Sequence, residues 1–120
     1  ALTSNPSADD FQLRELSDGT LLYRNIIEKA NGWADNDRLM YVAGATRPEW
    51  VRMVREAAPD RFLLIPGVGT QGGTVEQVIK NGKTKEGDIL INVSRAIVHS
   101  ADGPGAAAKL FAGSISRFFS

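Results

Sequence analysis

Three short runs, Leu39-Met40-Tyr41-Val42-Ala43-Gly44-Ala45, Phe62-Leu63-Leu64-Ile65 and Ile89-Leu90-Ile91-Asn92-Val93, are apolar on both faces rather than at alternate positions. That pattern predicts strands of a parallel sheet, which are buried on two sides. Parallel neighbours cannot be joined by a tight hairpin and need a crossover, commonly a helix. The segments between the runs carry helical signals. Thr46-Arg47-Pro48-Glu49 has capping-box spacing with proline in the first turn, so Thr46 is expected to cap a helix that gathers Trp50, Val51, Val54 and Ala57/Ala58 before Pro59 ends it. Thr74-Val75-Glu76-Gln77 repeats the spacing and opens a short helix with Val75, Val78 and Ile79 inside and Asn81-Gly82 as its stop. Gly103-Pro104-Gly105 reads as the entry to a closing helix through Leu110, Ile115 and Phe118.

Ahead of the first strand, Ser7-Ala8-Asp9-Asp10 opens a polar-capped segment with Phe11, Leu13 and Leu16 as apolar contacts, interrupted at Ser17-Asp18-Gly19. Leu22, Ile26, Ala30 and Trp33 then recur near a 3.6-residue period, which predicts an amphipathic helix with Asn31-Gly32 as a left-handed stop. Trp33 and Trp50 both read as core residues. Strict alternation of strand and helix predicts the α/β class. Counting an apolar strand end at Leu2, residues 1–120 form one domain of about four βα units with parallel strands. That is half of a (βα)8 barrel, which typically needs about 250 residues. An open doubly wound sheet is the other arrangement.

Lys plus Arg and Asp plus Glu are both 14, so no nucleic acid or membrane partner is expected to be held by bulk charge. With no cysteine and His99 as the one histidine, neither a disulfide framework nor a thiolate metal site is available, and no metal is expected. Asp35-Asn36-Asp37 lacks the glycine and glutamate of a calcium loop and reads as a turn. No apolar run approaches the roughly 20 residues of a membrane span, and the opening residues lack a signal-peptide layout, so a cytoplasmic location is expected. The chain starts without Met and as if inside the end of a strand, which points to a fragment or a processed chain.

Directly after the second strand, Ile65-Pro66-Gly67-Val68-Gly69-Thr70-Gln71-Gly72-Gly73 holds four glycines in nine positions. Glycines permit tight turns and bring backbone N–H groups near a ligand, and the helix opening at Thr74 adds unpaired donors and a partial positive charge. Those are the needs of a phosphate site, and sites in parallel α/β folds lie beyond the carboxyl ends of strands. The loop is not a Walker loop, since no Gly-Lys-Ser/Thr follows, and its match to the dinucleotide fingerprint lacks the acidic residue about 20 positions on. A purely structural turn is the competing reading. Ser94-Arg95 closes the next strand, and Arg95 is either a second clamp on the same phosphate or a surface arginine paired with a carboxylate.

The run "YVAGATRPEWVRMVREAAPDRFLLIPGVGTQGG" followed by "GDILINVSRAI" resembles the C-terminal half of the orotidine 5'-phosphate decarboxylases, and "LTSNPSADDFQ" resembles that family's loop after strand five. The resemblance spans nearly all of the chain. It implies half of an eight-unit barrel enzyme, usually dimeric, that converts orotidine monophosphate (OMP) to UMP and CO2 in pyrimidine synthesis without metal or organic cofactor. It further implies that Gln71 and the backbone of Gly69, Gly72 and Gly73 hold the 5'-phosphate together with Arg95, that Ser4 meets the pyrimidine amide edge, and that Thr46 is structural. Ala96 stands where relatives often have glycine and Thr70 where they often have alanine, which puts the approach of backbone to phosphate near Arg95 in doubt.

The resemblance also implies something missing. The family's proton-delivering Lys/Asp network contains an Asp-x-Lys-x-x-Asp motif, and none exists in this chain. Lys29, Lys80, Lys83, Lys85 and Lys109 read as surface residues, as does His99. No catalytic residue is therefore assigned, and the chain alone is expected to be inactive. Open strand edges and an uncovered apolar face would favour self-association or pairing with the N-terminal half. Two rivals remain: half of a related sugar-phosphate decarboxylase or synthase barrel, against which Gln71-Gly72-Gly73 argues, and a non-catalytic phosphate-binding assembly module.

Overall fold

The computed structural model describes residues 5–69 and 73–119; the expected strand end at Leu2 lies outside them. In chain order come a 3-10 turn at Pro6–Ala8, α1 at Asp9–Gln12, α2 at Leu22–Asn31, β1 at Tyr41–Val42 and α3 at Pro48–Ala57. They are followed by β2 at Leu63–Pro66, α4 at Val75–Gly82, β3 at Ile89–Asn92, α5 at Arg95–Val98 and α6 at Pro104–Ser116. The three strands lie in the order β1-β2-β3, both pairs parallel, as the alternation predicts. Backbone bonds from Ala43 N–H to the Leu64 carbonyl (3.0 Å) and Ala45 N–H to the Pro66 carbonyl (2.8 Å) carry the β1 edge three residues past the short strand.

Among the described residues, the strands are covered on one face only. Tyr41, Leu63 and Ile65 are buried with Val51 and Val54 of α3, Val78 of α4 and Ile27 of α2 in one core cluster, which Ile89 and Ile91 flank. Side chains alternate across a strand, so the neighbours of these residues face the other way. There Val42, Leu64 and Leu90 stand in register, with Val42 46% and Leu90 56% exposed. The apolar pattern on both faces thus belongs to a sheet whose second face the described residues leave largely uncovered.

Several helix boundaries differ from the expectation, each for an identifiable reason. Arg47, not Thr46, is the N-cap of α3, and it makes no side-chain cap bond. Pro48 occupies the first turn and drives the residue before it out of the helical region. Thr46 falls one position too early to cap, and its Oγ1 is buried without a hydrogen-bond partner among the described residues. Arg47 instead lies 3.0 Å from Asp9 Oδ2 and stacks 4.2 Å from the centre of the Trp50 ring.

α2 and α4 end at Asn31-Gly32 and Asn81-Gly82 as expected, but the first stop is not left-handed. Gly32, at the end of α2, has φ −81°. The last-turn carbonyls of Lys29 and Ala30 accept from Gly32 N–H (3.1 Å) and Trp33 N–H (2.9 Å), while the buried Arg61 donates to Asn31 O (2.8 Å), Ala34 O (2.7 Å) and Asp35 O at and beyond the helix end. At the end of α4, Arg55 Nε donates to Gly82 O at 2.7 Å. Gly82 itself is needed for space: a Cβ there would lie 2.9 Å from Val51 Cγ1 and 3.1 Å from Ile65 Cδ1.

The apolar stripe of α2 is rotated by one position from the predicted one. Tyr23, Ile27 and Ala30 are buried while Ile26 is exposed. The Tyr41 hydroxyl, 2.8 Å from Asn31 Oδ1 and 3.2 Å from Ile27 O, joins β1 to this face. Burial raises the Tyr41 pKa above its ordinary value, with Arg61 acting weakly the other way. Trp50 is buried as expected, but Trp33 is 77% exposed, because α2 ends before it and carries it off the packed face.

Candidate functional site

The carboxyl ends of β1, β2 and β3 place Ala45, Pro66 and Asn92 along one edge of the sheet. The glycine loop leaves from this edge. Gly67 (φ +96°) and Gly69 (φ +108°) occupy backbone space that favours glycine. Val68 and Gly73 pair as an isolated bridge, and Gly69 N–H donates to the Gly73 carbonyl at 3.2 Å, so the loop closes on its own stem.

Two of its glycines are also demanded by packing. A Cβ on Gly73 would overlap the Ala45 carbonyl oxygen and lie 2.8 Å from the carbonyl carbon. A Cβ on Gly69 would come within 2.9 Å of the Ala96 methyl. The loops after β2 and β3 are therefore in contact, and Ala96 is accommodated because Gly69 opposite it has no side chain. Gln71 and Gly72, like Ser4, lie outside the described residues.

Beyond the loop, α4 opens with the capping box that the spacing predicts. Gln77 N–H donates to Thr74 Oγ1 at 3.2 Å, and Thr74 N–H donates to Gln77 Oε1 at 3.3 Å. In its first turn Glu76 lies 2.7 Å from Lys80 Nζ. The hydrogen bond to Lys80 first, and the Lys80 charge second, hold the Glu76 carboxyl below its ordinary pKa. The pair therefore supports the helix above the ordinary carboxylate range and loses that support as pH falls through the lowered value. Both side chains are well exposed, so salt screens the effect.

A groove of about 800 Å³ runs between this loop, the start of α4 and the last helix; Gly69, Gly73, Thr74, Ala96, Phe111 and Arg117 are among the residues that line it. Ser94 is the N-cap of the short helix α5, and Arg95 begins it rather than ending the strand. Arg95 is exposed and its side chain forms no ion pair or hydrogen bond among the described residues, so the carboxylate-paired reading does not hold there. The structure thus brings Gly69, Gly73 and Arg95 to one end of the sheet.

All five lysines are exposed. Lys80 pairs with Glu76, and Lys83 donates to the Phe118 carbonyl and sits over the Phe119 ring. His99, at the end of α5, is exposed as expected. Among the described residues no group of three or more His, Asp or Glu side chains is placed to hold a metal ion, and no helix is long and apolar enough to cross a membrane.

Sequence reasoning missed Arg55 and Arg61 as structural residues. Each serves carbonyls distant in sequence, and no local spacing signals that.

No family model matches the chain. It is 47% identical over 102 residues to an orotidine 5'-phosphate decarboxylase of Christiangramia forsetii, covering 85% of this chain and 37% of that protein. It is 42% identical over 109 residues to the enzyme of the same name from Porphyromonas gingivalis, covering 91% of this chain and 40% of the relative. Among solved structures, the OMP decarboxylase of Leishmania donovani superposes with a TM-score of 0.80 at 31% identity, over 98% of this chain and 46% of that one. The chain therefore spans about two fifths of the length of the curated relatives it matches. By sequence and by fold it is a homologue of part of the orotidine 5'-phosphate decarboxylases, and its parallel sheet with helical crossovers is a section of their TIM barrel.

Proposed function

We propose that this chain carries the phosphate-gripping half of a cytoplasmic orotidine 5'-phosphate decarboxylase, the C-terminal half of its barrel. The whole protein releases CO2 from OMP to form UMP. The observation that carries the reading is the junction of the glycine loop with the loop after β3: Gly69 against Ala96, with Arg95, whose side chain is unpaired among the described residues, next to it. In this reading Arg95 supplies a permanently charged, two-pronged clamp for the 5'-phosphate. Gln71 and the backbone of Gly69, Gly72 and Gly73 complete the cradle, and Ser4 meets the pyrimidine.

Holding the phosphate far from the reacting carbon positions the ring and supplies binding energy for the reaction. The chemistry itself needs a lysine and carboxylate network, and the exposed lysines here do not supply one. The chain alone is thus inactive. Its protein partner is a second copy or the polypeptide that completes the barrel, either of which would cover Val42, Leu64 and Leu90.

Calorimetric titration tests the phosphate grip. UMP is expected to bind far more tightly than uridine, and Arg95→Ala to weaken UMP about 10- to 100-fold, the value of a charged hydrogen-bonded contact. Equal affinity for UMP and uridine, or an Arg95→Ala variant that binds UMP as well as the parent, would rule the reading out.

A further inference from the structure

The side of the sheet that the helices leave uncovered is apolar in the row formed by Val42, Leu64 and Leu90. Asn92 breaks that pattern. It is the last residue of β3, it is exposed, and the alternation with Ile89 and Ile91, which pack on the core, puts it on the same side as Leu90. Asparagine is a poor strand former, so sheet formation gives no reason for it there. Asn92 stands in register with Pro66, the residue from which the glycine loop departs, and three positions before Arg95.

The carboxamide is also oriented. Ser94 Oγ donates to Asn92 Oδ1 at 3.2 Å, which occupies the acceptor end of the amide. The Nδ2 group, with two protons to donate, makes no hydrogen bond among the described residues. A donor on the uncovered side of a strand end, with a guanidinium three residues on that has no partner among the described residues, is suited to an anionic oxygen.

We infer that Asn92 is a ligand-contacting residue, its Nδ2 donating to the phosphoryl oxygens of a nucleoside monophosphate that Arg95 neutralises. This deepens the phosphate-site reading and rests on it. Arg95 supplies the charge, and Asn92 supplies direction from the adjoining strand.

The test compares Asn92→Asp and Asn92→Ala with the parent chain by titration with UMP and, separately, with inorganic phosphate. Asn92→Asp keeps the shape and the acceptor for Ser94 but replaces the donor with an anionic oxygen. Asn92→Ala is expected to weaken UMP and phosphate about tenfold, and Asn92→Asp more strongly still, with amide spectra otherwise unchanged. If both variants bind within twofold of the parent while Arg95→Ala loses UMP, the role of Asn92 is overturned and the phosphate reading stands. If the parent chain binds neither UMP nor phosphate, both fall.

Discussion

Gly73→Ala is expected to destabilise the chain by about 3 kcal/mol and to weaken UMP binding in the same step, although it adds one methyl group. The methyl would overlap the Ala45 carbonyl oxygen, a backbone atom that cannot rotate away as a side chain would. Ala45 is itself pinned, since its N–H donates to the Pro66 carbonyl at 2.8 Å. Relief can come only from parting the stem of the glycine loop from the end of β1. Gly67→Ala is the control. Gly67 has φ +96° but nothing nearer than 3.8 Å to an added Cβ, so it should cost roughly 1–2 kcal/mol, from backbone strain alone. Urea unfolding midpoints separate the two. Equal costs at the two glycines would mean that close packing on Ala45 does not govern the loop.

Arg55→Met is expected to cost about 3 kcal/mol or more at the opposite end of the sheet. The Arg55 guanidinium donates to the carbonyls of Gly82, Ala58, Pro59, Arg61 and Asp88 at 2.6–3.2 Å. It thereby ties the ends of α3 and α4 to the chain entering β2 and β3. Burial pulls its pKa down, with Asp88 and Asp60 acting the other way. Arginine nevertheless stays charged at any ordinary pH, so its contribution should not vary between about pH 5 and 8. Methionine fills much of the space but leaves the carbonyls without their donor. Lysine, a point charge with three donors, should recover less than half of the loss. A loss below about 1 kcal/mol in urea unfolding would show that water replaces the guanidinium without penalty.

These two positions also mark where reading the sequence succeeds and where it stops. Signals confined to a few neighbouring residues were legible: the apolar runs that became β1, β2 and β3, and Thr74-x-x-Gln77, which forms its capping box. The loop at Gly69 and Gly73 was legible as a candidate site because glycine in that density after a strand has few purposes. Its second purpose, backbone against the Ala45 carbonyl, depends on a neighbouring strand that no local pattern reveals.

The same limit explains the helix ends. α2 and α4 end at Asn31-Gly32 and Asn81-Gly82 as the sequence signals, but the side chains that serve the carbonyls there, Arg61 and Arg55, lie 26 to 30 residues away, where no local spacing points to them. Trp33 was misplaced by extending a helical period past a helix that had already ended. Thr46 matched a capping box in spacing, but the proline two residues on decided which residue stays extended.

The central claim is that this chain holds the phosphate grip of an OMP decarboxylase but not its proton-delivering groups. Loss of OMP absorbance, followed for the chain alone and for the chain mixed with the segment of the Christiangramia forsetii relative that it does not match, tests this most directly. The account predicts no turnover by the chain alone and measurable turnover by the mixture, lost again in the Arg95→Ala variant. Robust turnover by the chain alone would contradict it.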